Sequence, residues 1–329
     1  MKKKITVQRY QKSDFSRWNS FVNEAKNSTF LFHRDFMEYH EDRFEDFSLL
    51  LLDENQNITA IFPANKVQDT LYSHQGLTYG GLVLHDQTHL TEVVHLMHAL
   101  LIFLNENGIH YLKLKVIPVI YNTVPADEME YIAFILKAKL DRRDALAVVD
   151  LNNKIPVSRI RKRGVDKGTQ LNLVFKEVTD FTDFWNQLLI PNLQERFGVK
   201  PVHTLEEITL LKSKFPDQIK QFNVYFEDRI IGGVTVFITE NAIHPQYISG
   251  NKEFNNQYGG LDYLYHFLLN QEWDVQPRYF DFGPSNENHG LSLNESLHYW
   301  KESFGARTIV QNFYEIETKN YSLLEQVLI

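Results

Sequence analysis

The chain has 329 residues, 43% hydrophobic and 23% charged, with 24 Phe, 16 Tyr and a formal charge of −8. Such proportions exclude a disordered chain and fit two domains or one large one; the acidic balance gives no global field toward DNA or an anionic membrane. Cysteine is absent, which excludes disulfides, thiolate metal sites and a cysteine nucleophile.

The start, "MKKKITVQRYQKSDF", has the basic flank of a signal peptide, but polar residues interrupt it from Gln8 onward. "HLMHALLIFL" is too short to span a bilayer. The expectation is a cytoplasmic protein without membrane insertion. "ITVQRY" alternates as a strand, and "DFSRWNSFVNEA" and "FLFHRDFMEYHEDRF" read as helices. "FSLLLLD" and "ITAIFPANKV" form a hairpin turning at Glu54–Asn57. "LYSHQGLTYGGLVL" is strand-like about a glycine loop, and "LTEVVHLMHALLIFLNEN" is a helix closed by Gly108. A strand, "IHYLKLKVIP", a helix, "DEMEYIAFILKAK", and a strand, "ALAVVDL", complete the half.

The second half repeats this order. "LNLVFKEV" is a strand, "FTDFWNQLLIPNLQERFG" a helix interrupted by Pro191, and "LEEITLLKSKF" a helix capped by Thr204. "KQFNVYFEDRIIGGVTVFI" is a hairpin with a bulge at Gly232–Gly233. "IHPQYISGN", "LDYLYHFLLNQEW", "RYFDFG", "LNESLHYWKESFG" and "RTIVQNFYEIE" then alternate strand and helix. The predicted architecture is α/β (α+β), two tandem domains each with a mixed, mostly antiparallel sheet flanked by helices. The first spans 1–151, a polar, basic connector 152–170, and the second 171–329. In the connector, Arg159, Arg161, Lys162, Arg163 and Lys167 are either a solvated face or a hold for a phosphate-rich donor.

Several residues carry chemistry. Leu293, Leu297, Trp300 and Phe304 form an apolar helical stripe with Lys301 at its edge, and Ser292 with Glu295 has capping-box spacing. Lys301 is either a snorkelling lysine or a fixed cation for the negative charge of an acyl-transfer transition state. Asp281 ends a strand and faces away from Phe280 and Phe282; it either caps the next turn, pairs with Lys301, or serves as base for an incoming amine. Ser285, Glu287 and His289 lie in the polar loop that follows, with Glu287 the better base there. His244 and Gln246 share one strand face and Tyr247 takes the other; His244 is either a structural histidine or a proton acceptor. His203 precedes the Thr204 cap. Asn256, Gln257, Tyr258, Gly259 and Gly260 open a helix with small residues, a place where free amides hold phosphate. No metal motif, nucleophile elbow, Walker loop or dinucleotide fingerprint is present.

The order of elements is similar to the GNAT acyltransferase fold, and two copies in one chain resemble the FemAB-like group. "SHQGLTYGGLV", "RIRKRGVDKG", "HPQYISGN" and "YFDFGPSNENHGLSLNESLHYWKESFGA" carry the resemblance over nearly the whole chain. It implies an N-acyltransferase of envelope or polysaccharide biosynthesis, with acetyl-CoA or another acyl-CoA as co-substrate, no metal, and a small amine such as an amino sugar as acceptor. The alternatives are an aminoacyl-tRNA-dependent ligase acting on a cell-wall precursor and a non-catalytic sugar- or partner-binding module. By the resemblance, Lys301 in "HYWKESFG" matches a lysine at the acyl-transfer site, and His203 becomes a cleft residue. The acetyl-CoA motif of the fold, Gln/Arg-x-x-Gly-x-Gly/Ala, is met at Gln257 and Gly260 and departs at Asp262.

Overall fold

The computed structural model describes residues 4–329, the side chains of Asn255 and Asn256 excepted. The chain forms two compact units. The first holds residues up to Asp144 together with Asn288–Leu291 and Val310–Ile329; the second holds Ala145–Glu287 and Ser292–Ile309.

In the first unit, strands Thr6–Arg9, Leu49–Leu52, Ile58–Phe62 and Val83–Leu84 pair antiparallel in that order. The predicted strand "ITAIFPANKV" is divided: Pro63 offers no N–H, the Ile58–Phe62 strand stops before it, and Asn65–Val67 pairs instead with Thr70–Tyr72. Thr70–Tyr72 then runs parallel to Tyr111–Lys115, which pairs antiparallel with Phe313–Glu317 of the last strand. Helix Leu90–Glu106 buries Val93, Met97, Leu100 and Leu104 against Leu49, Leu51 and Ile316. The helix expected over 30–44 is broken into short turns at Phe30–Phe32, Arg34–Met37 and Glu38–His40. Arg34 is drawn to Asp46 and lies over the Tyr10 ring, tertiary contacts that outweigh helical propensity.

In the second unit the strand order is Val174–Val178, Ile219–Phe226, Arg229–Ile238, Ala242–Gly250, Tyr279–Pro284 and the second half of Lys139–Asp150. All neighbours are antiparallel except Ala242–Gly250 with Tyr279–Pro284, which run parallel. The bulge expected at Gly232–Gly233 has Ile231 as its extra residue, since Val224 faces Gly232 while Tyr225 faces Ile230. The helix predicted around Pro191 is continuous. A π-turn at Trp185–Leu189 leads directly into Ile190–Phe197, and this wider turn lies where the Pro191 ring and its missing N–H would disrupt regular i→i−4 bonding.

The connector region 152–170 lies inside the second unit, and from Arg159 to Gln170 it is a helix. Ser158 caps it. Three glycines let it pack closely on the following helices. A Cβ on Gly164 would meet the Asp262 carboxylate, one on Gly168 the Tyr263 ring, and one on Gly259 would lie 2.3 Å from the Gly164 carbonyl oxygen. Gly259 also has φ +71°. Gly259→Ala is therefore expected to cost about 1–3 kcal/mol in a denaturant melt; an unchanged midpoint would refute this packing.

Candidate functional site

The parallel pairing in the second unit covers only Ala242–Tyr279 and Ile243–Phe280; beyond it the two strands have no further paired residues. At this fork His244 and Asp281 meet. His244 Nδ1 lies 3.1 Å from the Asp281 backbone oxygen and 3.4 Å from its carboxylate. Both neighbours are acceptors, so Nδ1 carries the hydrogen and Nε2 is left as the basic nitrogen. The Asp281 carboxylate also accepts the Gly283 N–H at 2.7 Å. Gly283 has φ +73°, and a Cβ there would press on the His244 ring at 3.2 Å. Glycine lets the strand turn here, and the turn presents the Gly283 and Pro284 carbonyls to one side.

Lys301 donates to both carbonyls, at 3.0 and 2.7 Å, and is 6% exposed. An ammonium has three N–H bonds, so one remains for a ligand. Burial pushes the Lys301 pKa down to about 8, with Asp281 partly opposing the shift. The lysine comes from helix Glu295–Glu302, whose cap differs from the expected Ser292. Asn294 accepts the Leu297 N–H, and its own N–H bonds Ser285 O at 2.9 Å, tying the helix start to the strand end. The buried face differs too. Leu293 and Leu297 are 50% and 40% exposed, while His298 and Lys301 are buried. Turning the polar pair inward leaves Leu297 and Trp300 to line a cleft.

That cleft has a volume of about 360 Å³. Leu193, Phe197, Ile248, Leu297 and Trp300 supply apolar walls, and Arg196 and Lys252 supply cations. Asn192, next to Pro191, holds the strand beside it by donating to Ser249 Oγ and Gly250 O. Sequence reading missed Asn192 and Arg196 because nothing local distinguishes them from other polar helix residues.

Of the four residues read as catalytic, Lys301, Asp281 and His244 are gathered and Glu287 is not. Glu287 is exposed and accepts from Asn294 Nδ2 in a two-strand ribbon, Asn286–Glu287 with Ser292–Leu293. His289 is exposed in the segment that belongs to the first unit. Ser285 is buried, and its hydroxyl has no partner. His203 and Tyr247 are buried against each other, His203 Nδ1 lying 2.6 Å from the phenol, and burial raises the Tyr247 pKa to about 12. The face shared by His244 and Gln246 does not follow from simple alternation. Tyr247 pairs with Thr235 and Pro245 with Val236, so Gln246 is the extra residue of a bulge.

The expected phosphate cradle differs as well. Gly259–Gly260 does open a helix, Gly260–Asn270, but the connector helix is packed onto that start. Asn251 Oδ1 accepts the Glu253 and Phe254 N–H groups at the head of the preceding helix, Lys252–Tyr258. Tyr258 packs between Phe226 and Phe254, Gln257 is exposed, and the Asn256 side chain lies outside the described residues. At the Lys252–Tyr258 helix the first amides, of the kind that hold a diphosphate in other folds, are taken by Asn251.

The first unit has a corresponding fork after Thr70–Tyr72 and Tyr111–Lys113, and its own loop fills it. Ser73 N–H bonds Lys113 O at 2.9 Å, Lys115 N–H bonds Ser73 Oγ at 2.8 Å, and Gly80 N–H bonds Lys115 O at 2.6 Å. The open fork is thus a property of the second unit.

No family model and no curated protein matches the sequence. Solved structures do match in fold. FemX aligns over 98% of this chain and 100% of its own, with a TM-score of 0.66 at 11% identity. L-PGS from Bacillus licheniformis aligns over 98% of each chain with a TM-score of 0.59 at 12% identity. The C-terminal domain of a putative lysylphosphatidylglycerol synthetase from Agrobacterium fabrum covers 94% of this chain and 93% of that one, with a TM-score of 0.58 at 10% identity. The chain therefore shares the fold of FemX and of these synthetase structures. Among the described residues no group of three or more His, Asp or Glu is placed to hold a metal, and no helix is long and apolar enough to cross a membrane.

Proposed function

We propose that the chain is an N-acyltransferase whose second unit moves an acyl group from an activated donor to the amine of a small acceptor, such as an amino sugar of an envelope or polysaccharide precursor. The observation that carries this reading is the buried Lys301 ammonium at an open strand fork, with His244 and Asp281 beside it. As the amine attacks, its nitrogen bonds the acyl carbon and negative charge collects on the carbonyl oxygen. The third N–H of Lys301 meets that oxygen. His244 Nε2 takes the amine proton, with Asp281 holding the ring. The leaving group departs with the bonding pair and recovers the proton. No covalent enzyme intermediate is needed, in keeping with a chain that lacks cysteine.

The donor has two readings. An acyl-CoA would lie along the cleft, with Arg196 and Lys252 toward its phosphates. An aminoacyl-tRNA is favoured by the occupied helix-start amides and by the exposed Arg159, Lys162, Arg163 and Lys167 on the connector helix. Thermal melts with acetyl-CoA, a longer acyl-CoA and charged tRNA separate these readings. A ligand at a hundredfold excess over its dissociation constant stabilises by about 2.7 kcal/mol. Stabilisation by a CoA ester selects the first reading and by charged tRNA alone the second, while silence from all three would favour a non-catalytic binding module.

A further inference from the structure

The first unit contains a half-buried lysine for which the transfer reaction has no use. Lys115, at the end of strand Tyr111–Lys115, has a single acceptor for its ammonium, the Leu77 carbonyl at 2.5 Å. Two N–H bonds are left over. Buried cations of this unit are neutralised: Lys26 by Glu128, and Arg34 by Glu38 and Asp46. Lys115 has no such carboxylate. Asp144, the acid whose charge acts on Lys115, is held by Arg142 through two hydrogen bonds at 2.8 and 2.6 Å, and Asp141, which also lines the cavity, pairs with Lys139. Arg142 itself lies near enough to lower the Lys115 pKa further, after burial, to about 8.

Lys115 and Arg142 line one cavity of about 210 Å³. The Arg142 guanidinium lies 4.6 Å from the centre of the Phe313 ring, and its bonds to Asp144 use Nε and Nη2, which leaves Nη1 outside that pair. Two histidines of the lining, His74 and His289, have left-handed backbones, with φ +63° and +53°. A non-glycine residue in that region costs free energy and persists where the surroundings impose it. His74 is 4% exposed, and its Nδ1 has no hydrogen-bond partner. A pocket with an under-satisfied ammonium, a guanidinium edge and an unpartnered ring nitrogen has one chemical complement. It is an acceptor-rich anion, which would supply the countercharge that Lys115 lacks.

We infer that this cavity is a binding site for an oxyanion, the carboxylate or phosphate group of a small ligand, held by Lys115 and Arg142. The site is independent of the acyl-transfer reading, since none of its residues belongs to the second unit.

The test uses the full chain with inorganic phosphate and with acetate, sodium chloride keeping ionic strength constant. Lysines are reductively ¹³C-methylated, and the Lys115 resonance is titrated by NMR. Binding of either anion should raise its midpoint by about a unit, because a nearby negative charge favours the ammonium. Phosphate alone acting identifies a phosphoryl ligand, acetate alone a carboxylate, and both a general oxyanion site. Read by isothermal titration calorimetry with each anion, Lys115→Met should weaken binding about tenfold or more, as should Arg142→Gln. A Lys115 titration unmoved by both anions overturns the proposal. So does a Lys115→Met chain that binds them as the parent does. If that variant does not fold, the titration of the unsubstituted chain decides alone.

Discussion

Lys301→Met is expected to lower the rate of acyl transfer by roughly 10²–10³-fold, about 3 kcal/mol in the barrier, while circular dichroism and the melting transition stay native. Loss of a developing-charge partner should appear in kcat more than in KM. The pH profile of the parent enzyme supplies a second readout. Since burial holds Lys301 near 8, activity that needs the ammonium should fall as pH rises through that value. Stability should move the other way. The folded pKa lies below the ordinary 10.5 of the unfolded chain, so the unfolded state binds more protons between about 8 and 10.5. The parent should gain stability over Lys301→Met across that window. A fully active Lys301→Met enzyme would leave the lysine as a cap for two carbonyls and nothing more.

Tyr265→Ala is expected to be the most damaging single truncation beneath the fork, at about 3–5 kcal/mol. Its ring is 1% exposed and lies 4.9 Å from Phe282, 5.2 Å from Trp300, 5.3 Å from Phe304 and 5.9 Å from Phe280. Those rings hold both sides of the site, Phe280 and Phe282 flanking Asp281, and Trp300 adjoining Lys301. The cavity left by the ring would therefore loosen the His244–Asp281–Lys301 arrangement as well as the core. Denaturant unfolding followed by tryptophan fluorescence reads the first effect and residual transfer activity the second. A loss below about 1 kcal/mol would mean that the aromatic layer repacks and that the site does not depend on it.

Local pattern made much of this architecture legible. The hydrophobic periods of the 90–106 and 260–270 helices, the Asp53–Asn57 turn and the Thr204 cap follow from neighbours a few residues apart. The gathering of Lys301 with Asp281 was anticipated because the strand and the helix are close in sequence. Where reading failed, the cause was long-range. Ser292 has the spacing of a capping residue, but it is spent on the short ribbon with Glu287, and Asn294 takes the helix end. Gln257–Gly260 has the composition of a phosphate loop, yet a helix about 100 residues earlier in the chain packs against it. Lys115 reads as an outward residue of an alternating strand, and the return of the 73–80 loop partly covers it. Glu287 and His289 belong to one loop in sequence, but the chain sends Asn288–Leu291 to a different unit.

The same exchange governs when each half can be finished on the ribosome. Strand Tyr111–Lys115 needs Phe313–Glu317 as its antiparallel partner, and the 318–326 turns cover helix Leu90–Glu106 with Leu324 in the same core. The half that is synthesised first must wait, with an unpaired strand edge, for some two hundred later residues to emerge. Loss of the last twenty residues would accordingly strike the beginning of the polypeptide while sparing the fork that gathers His244, Asp281 and Lys301.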